Sequence, residues 1–132
     1  MEIQKLKALI VDDSSSTRSV MIKECQLMGV KEIFDFEDPM KAWGWINQEG
    51  NDIDLILSDW NMPGMTGIDF LKLVKQSEKT KNIPFIIVTS EISQSSVTQA
   101  LMAKVDGYIV KPFKPESFKS KINDVIQKYY GK

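Results

Sequence analysis

The chain has 132 residues, one domain's worth and long enough to bury a core unaided. Its 17 basic and 18 acidic residues leave a net charge of −1, which argues against a general grip on nucleic acid or anionic lipid. Histidine is absent and cysteine occurs once, at Cys25, so an internal disulfide, a Cys/His zinc site and Ser-His-Asp or Cys-His catalysis are excluded.

The start, Met1-Glu2-Ile3-Gln4-Lys5, is polar, and no apolar run approaches the ~18 residues of a membrane span. A soluble, cytoplasmic protein is expected, organised as one domain over residues 1–132 with no output domain. Residues 7–11 (KALIV) read as a buried strand that ends in Asp12-Asp13. Ser14, Ser15 and Ser16 offer helix caps, and Met21, Cys25 and Met28 share one side of a helix stopped by Gly29. Residues 32–36 (EIFDF) form a second strand, and Asp38-Pro39 opens a helix running to about Gln48. Residues 53–58 (IDLILS) are a third strand, followed by a loop rich in turn residues at 59–67 (DWNMPGMTG). A helix over 68–76 carries Ile68, Leu71 and Val74 on one face, and residues 84–89 (PFIIVT) are the most apolar strand. The next helix, over 93–104, is expected to bury Val97, Ala100, Leu101 and Val105. Residues 107–110 (GYIV) are a fifth strand leading into Lys111-Pro112. The last helix, over 116–130, has Phe118, Ile122, Val125, Ile126 and Tyr129 as its stripe.

Five strands that each precede a helix imply an α/β fold, a parallel sheet with helices on both faces, and a three-layer flavodoxin-like (βα)5 architecture. Ligands of such sheets bind beyond the carboxyl ends of the strands. Those ends carry Asp12 and Asp13, Asp59, Thr89 and Lys111. Taken singly, each residue has a bland reading as a turn, a cap or a solvated lysine. Together they give three carboxylates, a hydroxyl and an ammonium at four strand ends. Converging carboxylates need a counter-ion, and magnesium suits an oxygen donor set of this kind. A carboxylate beside such a cation can attack phosphorus, with an ammonium and a hydroxyl meeting charge on the phosphoryl oxygens.

The stretches LIVDDSSSTR at 9–18, SDWNMPGMTG at 58–67, IIVTSE at 86–91 and GYIVKPF at 107–113 resemble the response-regulator receiver domains of two-component signalling, single-domain CheY type. The resemblance implies a sheet of strand order 2-1-3-4-5 and assigns roles residue by residue. Asp59 matches the aspartate that accepts a phosphoryl group from the phosphohistidine of a partner histidine kinase. Asp13 matches the direct magnesium ligand, Asp12 a ligand acting mainly through water, and Asn61 a ligand through its backbone carbonyl. Thr89 matches the switch hydroxyl and Lys111 the lysine that pairs with the phosphoryl group, in a Lys111-Pro112 bond that is usually cis. Tyr108 matches the aromatic that turns inward on activation, and Lys121 falls with it on the surface where output partners dock. The implied partners are a histidine kinase, an output protein such as a flagellar motor component or phosphorelay protein, and a possible phosphatase. No turnover of an external substrate is implied. Asn61 and Glu91, two residues after Asp59 and Thr89, match the CheY pattern at positions that tune self-dephosphorylation, and imply a short-lived phosphorylated state.

Five residues depart from these patterns or stand outside them. The glycine common at the end of the fourth helix is replaced by Lys104, so another stop is expected near Asp106-Gly107. Trp60 reads as an exposed loop residue, and of Trp43 and Trp45 on the second helix one reads as exposed. Cys25 reads as a small hydrophobe at the edge of the core. Two other functions fit the fold. A magnesium-dependent aspartyl phosphohydrolase of the Asp-x-Asp type would want an acid at position 61, which is Asn61. A flavin-binding electron carrier would want a phosphate-cradling loop after the first strand, where Asp12 and Asp13 repel phosphate.

Overall fold

A computed structural model describes residues 2–131. After one 3-10 turn at Ile3–Lys5, the chain alternates strand and helix five times. The strands are β1 (Lys7–Val11), β2 (Glu32–Phe36), β3 (Leu55–Ser58), β4 (Phe85–Thr89) and β5 (Gly107–Val110). The helices are α1 (Ser15–Met28), α2 (Pro39–Ile46), α3 (Gly67–Gln76), α4 (Gln94–Met102) and α5 (Pro115–Tyr130). All pairings are parallel and the order is β2-β1-β3-β4-β5.

The apolar runs become central strands because both faces of the sheet are covered. Alternate residues of one strand serve opposite layers. Ala8 and Ile10 pack with Met21, Cys25, Phe118 and Ile122 of α1 and α5. Leu9 and Val11 pack with Ala42, Ile46, Phe70 and Leu71 of α2 and α3. The edge strands β2 and β5 are less buried, as strands with one neighbour must be. Parallel alignment sends every strand's carboxyl end to one pole. Val11 pairs with Ser58 and with Phe36, and Thr89 pairs with Val110.

Several boundaries differ from expectation for local reasons. β3 starts two residues late: the Asp54 N–H still donates to the Lys7 carbonyl at 2.8 Å, but the Lys7 N–H is taken by the Asp54 carboxylate at 3.0 Å rather than by a backbone carbonyl. α2 stops at Ile46, where the Lys79 ammonium donates to the Ile46 carbonyl at 2.6 Å and the Asn47 side chain to that of Trp43 at 2.8 Å. Ser93 is the N-cap of α4, accepting from the Ser96 N–H. The fourth helix corrects two expectations. It ends at Met102, because Lys104 itself adopts the left-handed conformation with φ +69°, and no later stop is needed. Its buried side is Ser96 and Ala100, while Leu101 is 65% exposed. On α5, Tyr130 is half-buried and Tyr129 lies at the exposed edge of the stripe. Trp43 and Trp45 are both half-buried, with the Trp45 ring 4.6 Å from that of Phe34.

Candidate phosphoacceptor site

Asp12 follows the last residue of β1, and its N–H donates to the Phe36 carbonyl at 3.1 Å, so the ladder to β2 runs one residue past the strand. Its side chain is fully buried, yet both oxygens have donors: Ser14 N–H to Oδ1 at 2.9 Å and Lys111 Nζ to Oδ2 at 2.8 Å. Arg18, one turn into α1, donates through Nη1 to the Asp12 carbonyl at 2.8 Å while its Nε holds Asp35 at 2.8 Å. Asp13 points from the same turn and is exposed.

Asp59 follows β3. Its N–H donates to the Val11 carbonyl at 3.0 Å, its Oδ1 accepts the Trp60 N–H at 2.7 Å, and Oδ2 lies 3.3 Å from Lys111 Nζ. Ligand oxygens of Asp12, Asp13 and Asp59 all lie within 4.8 Å of one another. One ammonium facing three carboxylates leaves the cluster short of positive charge, and burial raises the penalty. The donors are hard oxygens, which suits a magnesium ion.

Lys111 reaches this cluster because its N–H donates to the Thr89 carbonyl at 2.9 Å, and the Lys111-Pro112 bond is cis. Thr89 is fully buried, and its hydroxyl oxygen accepts the Glu91 N–H at 3.2 Å. The carbonyl of the same Glu91 accepts the Tyr108 hydroxyl at 2.6 Å. Tyr108 is half-buried against the α2–α3 layer; burial, then the Glu91 and Asp59 carboxylates, raises its phenol pKa above the usual value. Asn61 is exposed in the loop after Asp59. Lys121 is exposed on α5 and takes no part in this hydrogen-bonded set. Five of the expected residues, Asp12, Asp13, Asp59, Thr89 and Lys111, thus meet at one pole, with Tyr108 tied to them through Glu91.

The loop over residues 59–67 corrects one expectation and adds residues that the sequence did not single out. Trp60 is only 8% exposed; it packs with Met62 and Ile68 into the α2–α3 layer. Gly67 closes the loop, its N–H donating to the Trp60 carbonyl at 2.8 Å. A Cβ at Gly67 would overlap the Asp59 carbonyl oxygen and crowd the Trp60 backbone. Thr66 and Asp69 form a capping box that begins α3 at this point. Buried Ser58 donates to the Asp59 carbonyl at 3.0 Å. Arg18, Ser58 and Gly67 act on backbone atoms, and the only sequence signal for Gly67 is its place before an apolar helix.

A parallel α/β sheet with an acidic triad, a buried hydroxyl and a bridging lysine at its carboxyl pole defines a phospho-accepting signalling domain. A family model described as "Response regulator receiver domain" matches residues 8–123. The chain is 36% identical over 121 residues to a chemotaxis protein CheY homolog of Campylobacter jejuni, covering 92% of each. It is 36% identical over 126 residues to chemotaxis protein CheY of Pseudomonas aeruginosa, covering 96% of this chain and all of that one. The solved structure of chemotaxis response regulator CheY4 of Vibrio cholerae superposes with a TM-score of 0.82 at 32% identity, covering 91% of this chain and 98% of that one. The chain belongs to the response-regulator receiver domain family and is a phospho-accepting switch. The phosphohydrolase and flavin-carrier alternatives are not favoured. No helix among the described residues is long and apolar enough to cross a membrane.

Proposed function

We propose that Asp59 accepts the phosphoryl group from the phosphohistidine of a partner histidine kinase, in a chemotaxis pathway of the kind its relatives' names describe. The observation that carries this reading is the Lys111 ammonium set between Asp12 and Asp59, 2.8 and 3.3 Å from their Oδ2 atoms. The Asp59 carboxylate attacks phosphorus; the P–N bond of phosphohistidine breaks, a P–O bond forms, and the imidazole leaves. The Trp60 N–H fixes one Asp59 oxygen and leaves the other to react. Asp12, Asp13, Asp59 and the Asn61 carbonyl would hold Mg2+, which when bound supplies charge stabilisation for the phosphoryl oxygens. Water exclusion around Asp12 and Asp59 strengthens every such interaction.

A phosphoryl group brings roughly −1.5 to −2 charges and three acceptor oxygens. Lys111 turns from the Asp12 and Asp59 carboxylates to that group, and the Thr89 hydroxyl donates to it. Movement of Thr89 pulls on the Glu91 N–H, and the Glu91 carbonyl carries the change to Tyr108. The surface of α4, β5 and α5, with Lys121 on it, then changes its affinity for an output protein such as a flagellar motor component or a phosphorelay protein. The protein works in the cytoplasm, turns over no external substrate, and loses its phosphoryl group quickly through water positioned near Asn61 and Glu91, with or without a phosphatase.

The test adds a small-molecule phosphodonor and Mg2+ and measures intact mass. A phosphate-sized gain in the native protein, absent in Asp59→Asn and in metal-free buffer, is expected. A gain that survives Asp59→Asn, or a protein that neither gains mass nor changes its fluorescence with beryllium fluoride, would overturn the assignment.

A further inference from the structure

The pole opposite the phosphoacceptor gathers several lysines, in a chain whose net charge is −1. Two adjoining depressions, of about 300 and 200 Å³, share Lys75 and Lys104 as walls. Lys81 adds to the first and Lys72 to the second, so four ammonium groups line the pair. The one carboxylate in these walls, Asp106, is already committed. Its Oδ2 accepts from Lys75 Nζ at 2.7 Å and from the Phe85 N–H at 2.8 Å, and its Oδ1 accepts the Tyr129 hydroxyl. Among the described residues Lys81 pairs only with Glu78, which is almost fully exposed, an arrangement that water and salt weaken. Among the described residues neither Lys72 nor Lys104 is in an ion pair.

Cations at helix C-termini offset the helix dipole, and Lys75 in the last turn of α3 does this while ion-paired. The same role is open to Lys104, just past the end of α4, but it does not require that residue's backbone conformation. A helix end of this shape is met without strain by glycine, yet here a lysine holds φ +69°. Bonds from the Lys104 N–H to the Leu101 carbonyl and from the Val105 N–H to the Ala100 carbonyl, both 3.0 Å, fix its backbone. Backbone strain kept at a position where glycine would relieve it points to a use for the side chain.

We propose that the two adjoining depressions together form a binding site for a phosphate-rich anion, a di- or triphosphate chain, held by Lys72, Lys81 and Lys104 around the Lys75–Asp106 pair. Compact ammonium groups on flexible stems suit phosphate as point charges. The volume accommodates such a chain. Tyr129 lines the first depression and is partly exposed, so a nucleoside, if one is attached, would lie beside it. An occupant would tie together the ends of α3, α4 and α5, the last two being elements that flank β5.

The test is a 1H–15N titration of the native protein with sodium triphosphate and, separately, with ATP, in metal-free buffer at about 0.15 M salt, where exposed point charges are screened. Saturable shifts confined to residues 72–76, 81–82 and 102–106 are expected. Lys72→Gln combined with Lys104→Gly should weaken binding by about tenfold or more. Lys104→Gly removes the charge while keeping the backbone conformation, so loss of binding would not reflect loss of fold. Equal response to both ligands assigns recognition to the phosphate chain; tighter ATP binding with movement of the Tyr129 ring signals adds the nucleoside, and either supports the site. Shifts spread over all surface lysines, shifts centred on residues 12, 13 and 59, or undiminished binding by the double variant would overturn it.

Discussion

Gly67 shows how a residue with no functional group can govern one that has. The loop leaving Asp59 folds back until the start of α3 lies against the Asp59 carbonyl, an approach only a residue without Cβ permits. Gly67→Ala must push these backbones apart and shift Asp59. We expect about 2–4 kcal/mol lost in urea unfolding, together with slower phosphorylation by a small donor. Unchanged stability would mean that the loop relaxes at no cost. Asp12, Asp59, Thr89 and Lys111 could be read because a polar residue after an apolar run marks a strand's end. Arg18 and Ser58 could not, because they act on carbonyls brought near only by tertiary packing. Trp60 reads as exposed for a related reason: its neighbours are turn residues, but the loop folds inward and buries it.

At the scale of elements, two helices carry residues that fit their positions poorly, and each gives a measurable consequence. Lys104 ends α4 in a conformation that disfavours any side chain, so Lys104→Gly should stabilise the protein by about 0.5–1.5 kcal/mol in chemical denaturation. A loss of stability would contradict the strain argument. Glu24 sits on the covered side of α1, only 8% exposed, and its Oε2 is buried without a hydrogen-bond partner. A buried carboxylate oxygen without a partner is destabilising, and Glu24→Leu should add about 1–3 kcal/mol. An unchanged melting temperature would show that the carboxylate finds water. The elements were legible to the extent that periodicity and caps define them. The ends of α2 and α4 were not, since side chains from distant segments and an unusual backbone angle fix them.

For the molecule as a whole, two apolar layers on a fully parallel sheet bury groups that respond to alkali. The Cys25 thiol is pushed up to about 12, mainly by burial and then by the Glu24 charge, and the Tyr130 phenol also rises to about 12, mainly by burial. In the unfolded chain both lose their protons near their ordinary values of 9.0 and 10.0. Between those values and about 12 the unfolded state binds fewer protons than the folded one, so stability falls as pH rises. Below about pH 9 the effect is absent. Cys25→Ala should flatten the first part of this decline, which for one such thiol has a slope of at most about 1.4 kcal/mol per pH unit. Equal alkaline slopes in the two proteins would sink this account. The shared pole follows from parallel strands alone, whereas strand order needed the family resemblance, because periodicity identifies strands but says nothing about which lie side by side.

The Lys111–Asp12 ion pair joins residues 99 positions apart in the chain. Any partly folded form lacking β5 therefore presents Asp12 and Asp59 as neighbouring buried anions with no countercharge. Closing so long a loop costs chain entropy that the ion pair repays only once β5 is docked beside β4. Competence to take up a phosphoryl group should thus return only with the final phase of refolding, after sheet and helix signals have largely recovered. A pulse of donor applied at intervals during refolding, read by mass, would make this site a clock for the completion of the fold.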